Sequence, residues 1–157
     1  MKHLTPETQT QILSSLQTMP KAAELSFLLD DMSSGTYTQN ADLTNTLEKV
    51  SQYSKDLAVL LNVPDSENIR DIVKEAQELV CNSDRIKVEM SYAPSKDFMS
   101  GVYEIFKSLG YKDFLLDFAT VSDAGTGAHI YHNGNFIDIS MFDLIKEKMQ
   151  GFNFNTL

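Results

Sequence analysis

An Asn-Gly dipeptide at positions 133–134 constrains the fold of this chain more than any other feature. It stands between two runs that alternate apolar and polar residues. Both central residues of a type I′ turn need positive φ, so the dipeptide predicts a β-hairpin with a two-residue loop. A loop of that length fixes the register, which pairs His129 with Asp138 and Tyr131 with Phe136.

The predicted register gives the hairpin two chemically different faces, because successive side chains of a strand point to opposite sides. One face carries only apolar residues: Ala128, Ile130, Ile137 and Ile139. The other face carries His129, Tyr131, Phe136 and Asp138. We therefore expect one core face and one face that can bind a partner or do chemistry.

The first half of the chain has apolar residues at helical spacing, which predicts four helices. Thr5 caps the first helix, the second starts at Pro20 and ends near Gly35, the third covers 42–61, and the fourth covers 69–80. The apolar stripe of the third helix is typical of a core face, and a short coiled-coil seam is the alternative.

The spacing then changes to strict alternation. Residues 85–92 predict a strand that buries Tyr92, Ser95 caps a helix, and residues 114–121 form a second strand. The hairpin supplies two more strands, and Ser140 caps a final helix. The strand–helix–strand unit predicts one parallel pair, and the last three strands predict an antiparallel meander.

These elements predict an α+β fold. A helical N-terminal half of about four helices packs with a C-terminal βαβββα unit, which forms a four-stranded mixed sheet. We expect a single domain, 1–157, of ordinary size for its 157 residues. Two subdomains, 1–82 helical and 83–157 βαβββα, are the alternative.

Packing decides whether the polar face of the hairpin is accessible. Four amphipathic helices must bury their stripes, so we expect them to cover the sheet face that carries Tyr131 and Phe136. The helices that begin at Ser95 and Ser140 would cover the other face. In the alternative arrangement the aromatic pair is exposed and acts as an interaction hot spot.

The charge of the chain narrows the class of partner. The net charge is −9, and residues 1–84 hold six Lys/Arg and 13 Asp/Glu, a net charge of −7. No basic cluster is present, so we expect no binding to nucleic acid or to anionic membranes. A protein with a basic surface is the expected partner, and an acidic surface kept for solubility is the alternative.

Cysteine usage and hydropathy predict a cytoplasmic protein of a bacterium or of a virus- or phage-infected cell. Cys81 is the only cysteine, which excludes an internal disulfide and a Cys-rich metal site, and we expect a half-buried structural thiol. The first residues lack the apolar core of a signal peptide. No apolar run reaches the ~18 residues of a membrane span.

His129 opposite Asp138 is the candidate catalytic pair. A carboxylate beside an imidazole fixes the ring tautomer and raises its basicity, as a general base requires. The alternative is an exposed cross-strand ion pair worth ~0.2–1 kcal/mol. His132 lies three residues away on the opposite face of the strand, so the two histidines cannot share a metal. We predict neither a metal nor a cofactor.

The glycine-rich segment 123–127 is the second candidate site, with Asp123 and Thr126 as its polar residues. Phosphate-binding loops lead into a helix N-terminus, whereas this segment leads into a strand. A flexible connector between strands is therefore the expected role. A mobile binding loop is the alternative.

The aromatic pair is the third candidate site. Tyr131 and Phe136 share a nominal face with Arg85 and Lys87, and exposed aromatics on a sheet can stack nucleobases. The acidic charge of the chain argues against that use. Protein binding is the better interpretation of this face if the helices leave it exposed.

These observations support three hypotheses for function. The first is a small, acidic, non-catalytic protein-binding module that docks a basic surface of a larger partner. It would be an adaptor, inhibitor or accessory factor encoded by a bacterium or phage. The second is a small hydrolase or transferase that uses His129 and Asp138. The third is a structural or assembly subunit, or a homo-oligomer, with the apolar stripe of residues 43–61 as its interface.

Overall fold

The fold class predicted from the sequence is confirmed, with a helical first half followed by a mixed sheet. The computed structural model describes residues 4–35, 42–62, 66–125 and 127–139. Within these ranges the elements are α1 (Pro6–Leu16), α2 (Met19–Gly35), α3 (Asp42–Tyr53), α4 (Lys55–Leu61), α5 (Ser66–Asn82), β1 (Asp84–Met90), α6 (Lys96–Ser108), β2 (Phe114–Thr120), a 3₁₀ turn (Ser122–Ala124), β3 (Ala128–His132) and β4 (Asn135–Asp138). The helix predicted from Ser140 lies outside the described residues.

The helix predicted over 42–61 is two helices, because the helical conformation is interrupted at Ser54. This residue has extended backbone angles, and its hydroxyl accepts a hydrogen bond from the backbone N–H of Leu57 at 3.2 Å. Serine is a favoured helix N-cap because it satisfies one of the first unpaired N–H groups. The apolar stripe continues across this interruption, so the spacing of apolar residues does not show where α3 ends and α4 begins.

The helices bury their apolar stripes mainly against one another. Their core includes Val50, Leu57 and Leu61, all 0–1% exposed. The stripe of the predicted third helix is therefore a core face, as expected. Its use as an assembly interface, the third hypothesis, stays a prediction. The side chain of Leu43 lies outside the described residues.

The sheet has the strand order β2-β1-β3-β4. β1 and β2 are parallel, as the strand–helix–strand unit predicts, but β3 pairs antiparallel with β1. The predicted meander is therefore wrong. The outer edge of β2 is taken by the link between α1 and α2, where Thr18 bridges Leu116 and the Leu116 N–H donates to the Gln17 carbonyl at 2.9 Å. β3 consequently lies on the other side of β1.

Helix α6 covers one face of the sheet. Tyr103 is buried against the strands, with its ring centroid 4.6 Å from that of Phe114. The other buried residues of this second core are Ile86, Val88, Met90 and Leu116. The first strand ends at Met90 rather than at residue 92, so Tyr92 is exposed, contrary to the prediction that it points inward.

Among the described residues, the other face of the sheet is covered by the helical half at β2. Leu115 is fully buried and belongs to the core of the helical half. Across β3 and β4 this face is accessible, since Tyr131 is 37% and Phe136 54% exposed. The prediction that the helices cover this aromatic pair is therefore wrong. The described helices bury their stripes mainly among themselves, and Leu115 is the buried sheet residue that joins their core.

Cys81 is exposed rather than half-buried, since it lies in the last turn of α5 on the solvent side. No helix of the described ranges combines the length and the apolar character needed to cross a membrane.

Candidate functional site

The Asn-Gly turn has the geometry that its sequence predicts. Asn133 has φ 49° and Gly134 has φ 77°, the positive pair that a type I′ turn requires. The hairpin register is confirmed, with His129 opposite Asp138 and residue 131 opposite residue 136. The turn thus decides which side chains share a face.

The accessible part of the sheet is called here the open sheet face, and its residues are Lys87, Glu89, His129, Tyr131, Phe136 and Asp138. The strand pairings arrange them in two rows across β1, β3 and β4. The first row places a lysine beside the two aromatic rings. The second places the imidazole between the two carboxylates.

The aromatic row forms a continuous ring surface. The Tyr131 and Phe136 ring centroids lie 5.0 Å apart with an interplanar angle of 44°. The Lys87 ammonium lies 5.7 Å from the centroid of the tyrosine ring, within cation–π range. This row therefore offers both apolar area and a π-face that attracts cations.

The carboxylate row holds His129 between two acids. Its Nδ1 lies 4.0 Å from Glu89 Oε2, and its Nε2 lies 3.7 Å from Asp138 Oδ1. Both distances exceed a hydrogen bond, whereas a general base needs an orienting bond of about 2.6–3.2 Å. The hypothesis of a catalytic pair formed by His129 and Asp138 stays a prediction.

An ion pair links the two rows. Lys87 Nζ lies 2.7 Å from Glu89 Oε1. This contact raises the pKa of the lysine and lowers the pKa of the glutamate. Partial burial, together with the negative charge of Glu89, raises the pKa of Tyr131. The face is thus held by mutual electrostatic contacts across neighbouring strands.

The other predicted site residues are Arg85, Asp123 and Thr126, which make none of the contacts described above. Arg85 is exposed on β1, two residues before Lys87, and by strand alternation it shares the same face. Asp123 belongs to the 3₁₀ turn, and Thr126 lies outside the described residues. The segment connects β2 to β3, as expected, and its binding role stays a prediction.

A second histidine–aspartate contact was missed by sequence reasoning. His132 Nε2 lies 2.6 Å from Asp84 Oδ2, and the Tyr111 ring approaches His132 edge-on at 5.2 Å. This contact lies on the face covered by α6, so the two histidines point to opposite faces as predicted. The register of β1 with β3 could have indicated this contact: continued one residue beyond the Lys87–Tyr131 pair, it places His132 opposite residue 86 and diagonal to Asp84.

The described side chains include no group of three or more His, Cys, Asp or Glu residues placed to hold a metal ion. The open sheet face offers two aromatic rings, the ammonium group of Lys87, the imidazole of His129 and two carboxylates as its recognition groups. Comparison of the sequence with protein-family models and with curated proteins finds no match.

Proposed function

We propose that this chain is a protein-binding module that docks a basic surface of a larger partner through its open sheet face. The observation that carries the proposal is the exposed ring pair of Tyr131 and Phe136, flanked by carboxylates on a face that the described helices leave uncovered. Aromatic side chains are enriched at the energetic centres of protein interfaces.

The chemistry of the face suits cationic side chains. A guanidinium or ammonium group of the partner can lie over the Phe136 ring and beside the carboxylate of Asp138, whose side chain is 38% exposed. The contact of Lys87 with Tyr131 is an internal example of the same interaction. The net charge of −9 would in addition speed the encounter with a basic surface.

The face is well suited to binding because strands hold its side chains. Tyr131 and Phe136 are in direct contact across the hairpin, and Lys87 is tied to Glu89. Few rotamers must be frozen when a partner docks, so less of the binding free energy is lost to ordering.

A pull-down from a lysate of the producing cell tests the proposal. The bait proteins are the wild type, Phe136→Ser and a matched control, Phe27→Ser, which alters an exposed phenylalanine on α2. We expect a basic protein to be retained by the wild type and by the control, and to be lost with Phe136→Ser. Binding of the purified partner should weaken as salt rises from 0.05 to 0.5 M, because screening weakens exposed ion pairs.

Three results would contradict the proposal. The first is the absence of any partner, and the second is a partner whose binding depends on neither Phe136 nor salt. The third is a partner lost with Phe27→Ser alone. That loss would place binding in the groove of about 650 Å³ between α2 and α3, which Phe27 and Tyr53 help to line.

A further inference from the structure

His129 lies between acidic side chains of two neighbouring strands. It is opposite Glu89 of β1 and opposite Asp138 of β4. Its Nδ1 is 4.0 Å from the Glu89 carboxylate, and its Nε2 is 3.7 Å from the Asp138 carboxylate. The imidazole side chain is only 18% exposed, so salt and water screen these contacts less than contacts on an open surface. Each ring nitrogen thus faces a carboxylate.

The protonation state of the ring changes what it presents to these carboxylates. A neutral imidazole has one N–H donor, so its other nitrogen turns a lone pair toward an acid. An imidazolium has two donors and a positive charge, and each N–H can be directed to one carboxylate. Proton uptake at His129 therefore replaces an unfavourable contact by a favourable one and adds a cation to the open sheet face.

The added cation lies where the partner's cation would dock. The His129 ring centroid is 5.4 Å from that of Phe136, in an edge-to-face arrangement. In the proposed complex, a guanidinium or ammonium group of the partner contacts this same phenyl ring beside Asp138. An imidazolium at His129 competes for the ring, within cation–π range, and repels the incoming group.

The other described groups on this face do not change their charge near neutral pH. The ion pair within β1 raises the pKa of Lys87 and lowers the pKa of Glu89, so both stay charged. Partial burial raises the pKa of Tyr131, which therefore stays neutral. Arginine is always protonated, and carboxylates ordinarily titrate at about pH 4. The charged or titratable groups that share the face with His129 are, by strand, Arg85, Lys87 and Glu89 on β1, Asp117 on β2, Tyr131 on β3 and Asp138 on β4.

We propose that proton uptake by His129 weakens docking of the basic partner, so that the open sheet face binds at pH 8 and releases at pH 5.5. The inference rests on the proposed function and adds its regulation. Histidine is the side chain whose charge ordinarily changes in this range. Because the two binding events are linked, a docked cation in turn disfavours proton uptake by the imidazole.

A peptide whose own charge is constant tests the inference. The probe is octa-arginine capped at both ends, because arginine stays protonated throughout this pH range. Its Kd is measured by isothermal titration calorimetry at pH 8 and at pH 5.5. The Phe136→Ser protein should bind more weakly at pH 8, which shows the part of the binding that belongs to the open sheet face. For the wild type, we expect Kd to rise at least about fivefold on acidification.

Two substitutions at position 129 isolate the effect of the charge. His129→Gln keeps a neutral polar side chain, so its ratio of Kd at pH 5.5 to Kd at pH 8 should be close to one. His129→Lys carries a permanent positive charge, so its Kd should be raised at both pH values. The matched control is His132→Gln on the opposite face, which should keep the wild-type ratio. Circular dichroism checks the fold of each variant, and either substitution at position 129 decides the question alone.

The outcomes separate the inference from the proposed function. Binding that needs Phe136 but has the same pH ratio in the wild type and in His129→Gln would overturn the inference and leave the proposed function intact. So would a His129→Lys protein that binds as tightly as the wild type does at pH 8, or a pH ratio lost only in His132→Gln. Octa-arginine binding that does not depend on Phe136 at pH 8 would contradict the proposed function, and the inference would fall with it.

Discussion

Leu115 connects the two halves of the molecule, and its truncation to alanine tests whether they unfold together. The residue belongs to β2, but its side chain is fully buried in the core of the helical half. In the Leu115→Ala protein the helices lose this contact with the sheet. We expect both halves to become less stable together, as a single domain requires.

The size of the effect follows from the burial. Truncating a fully buried leucine to alanine costs about 3 kcal/mol, including the cavity that remains. With a urea dependence of about 2 kcal/mol/M, typical of a chain of this size, the unfolding midpoint should fall by about 1.5 M. The matched control is Leu109→Ala at the end of α6, where the leucine is 68% exposed and the midpoint should move little.

Urea unfolding followed by circular dichroism and by hydrogen exchange measures both halves at once. Circular dichroism reports mainly on the helices, and exchange resolves the amides of β1 and β3 separately. A common midpoint shift in both signals is the expected result. The reasoning is refuted if the helical signal shifts while the sheet amides keep their wild-type stability, because the two halves would then be independent subdomains.

Three other predictions follow from local contacts. Ser54→Ala removes the N-cap of α4 and should lower the free energy of unfolding by about 1 kcal/mol, measured by urea unfolding, with Ser54→Asp as the conservative rescue. Asp84→Asn weakens the bond to His132, so the amides of β3 should exchange faster than in the wild type, and unchanged exchange would contradict a structural role for this contact. Because Lys87 lowers the pKa of Glu89, the stability that this carboxylate contributes is present above its unfolded pKa of about 4.3 and is lost as the pH falls through the lower folded value. The stability difference between the wild type and Lys87→Met should therefore shrink on acidification, and a difference that stays constant from pH 6 to pH 2 would contradict the assignment.

Local chemistry made the hairpin predictable from sequence. Gly134 adopts positive φ freely because it has no Cβ, and Asn133 is a residue that tolerates it, so every pair of the hairpin follows from that turn. The parallel pairing of β1 with β2 was predictable for a similar reason, since a helical crossover joins them.

The order of the strands was not predictable, because it depends on a contact without a sequence pattern. Gln17 and Thr18 carry no strand signal, yet they occupy the edge of β2. Gln17 reaches this position with φ 61°, a conformation that a non-glycine residue seldom adopts. The exposure of the open sheet face was missed for a related reason, since periodicity shows that a helix has an apolar stripe but not which neighbour covers it.

The capped edge of β2 has a consequence for assembly. Growth of a sheet strand by strand requires each added chain to present a new edge for the next one. At Leu116 the outward backbone N–H of β2 is already bonded to the Gln17 carbonyl. A further strand could pair with β2 at this position only after the link between α1 and α2 had moved away, so growth of the sheet at this edge would require a rearrangement of the helical half.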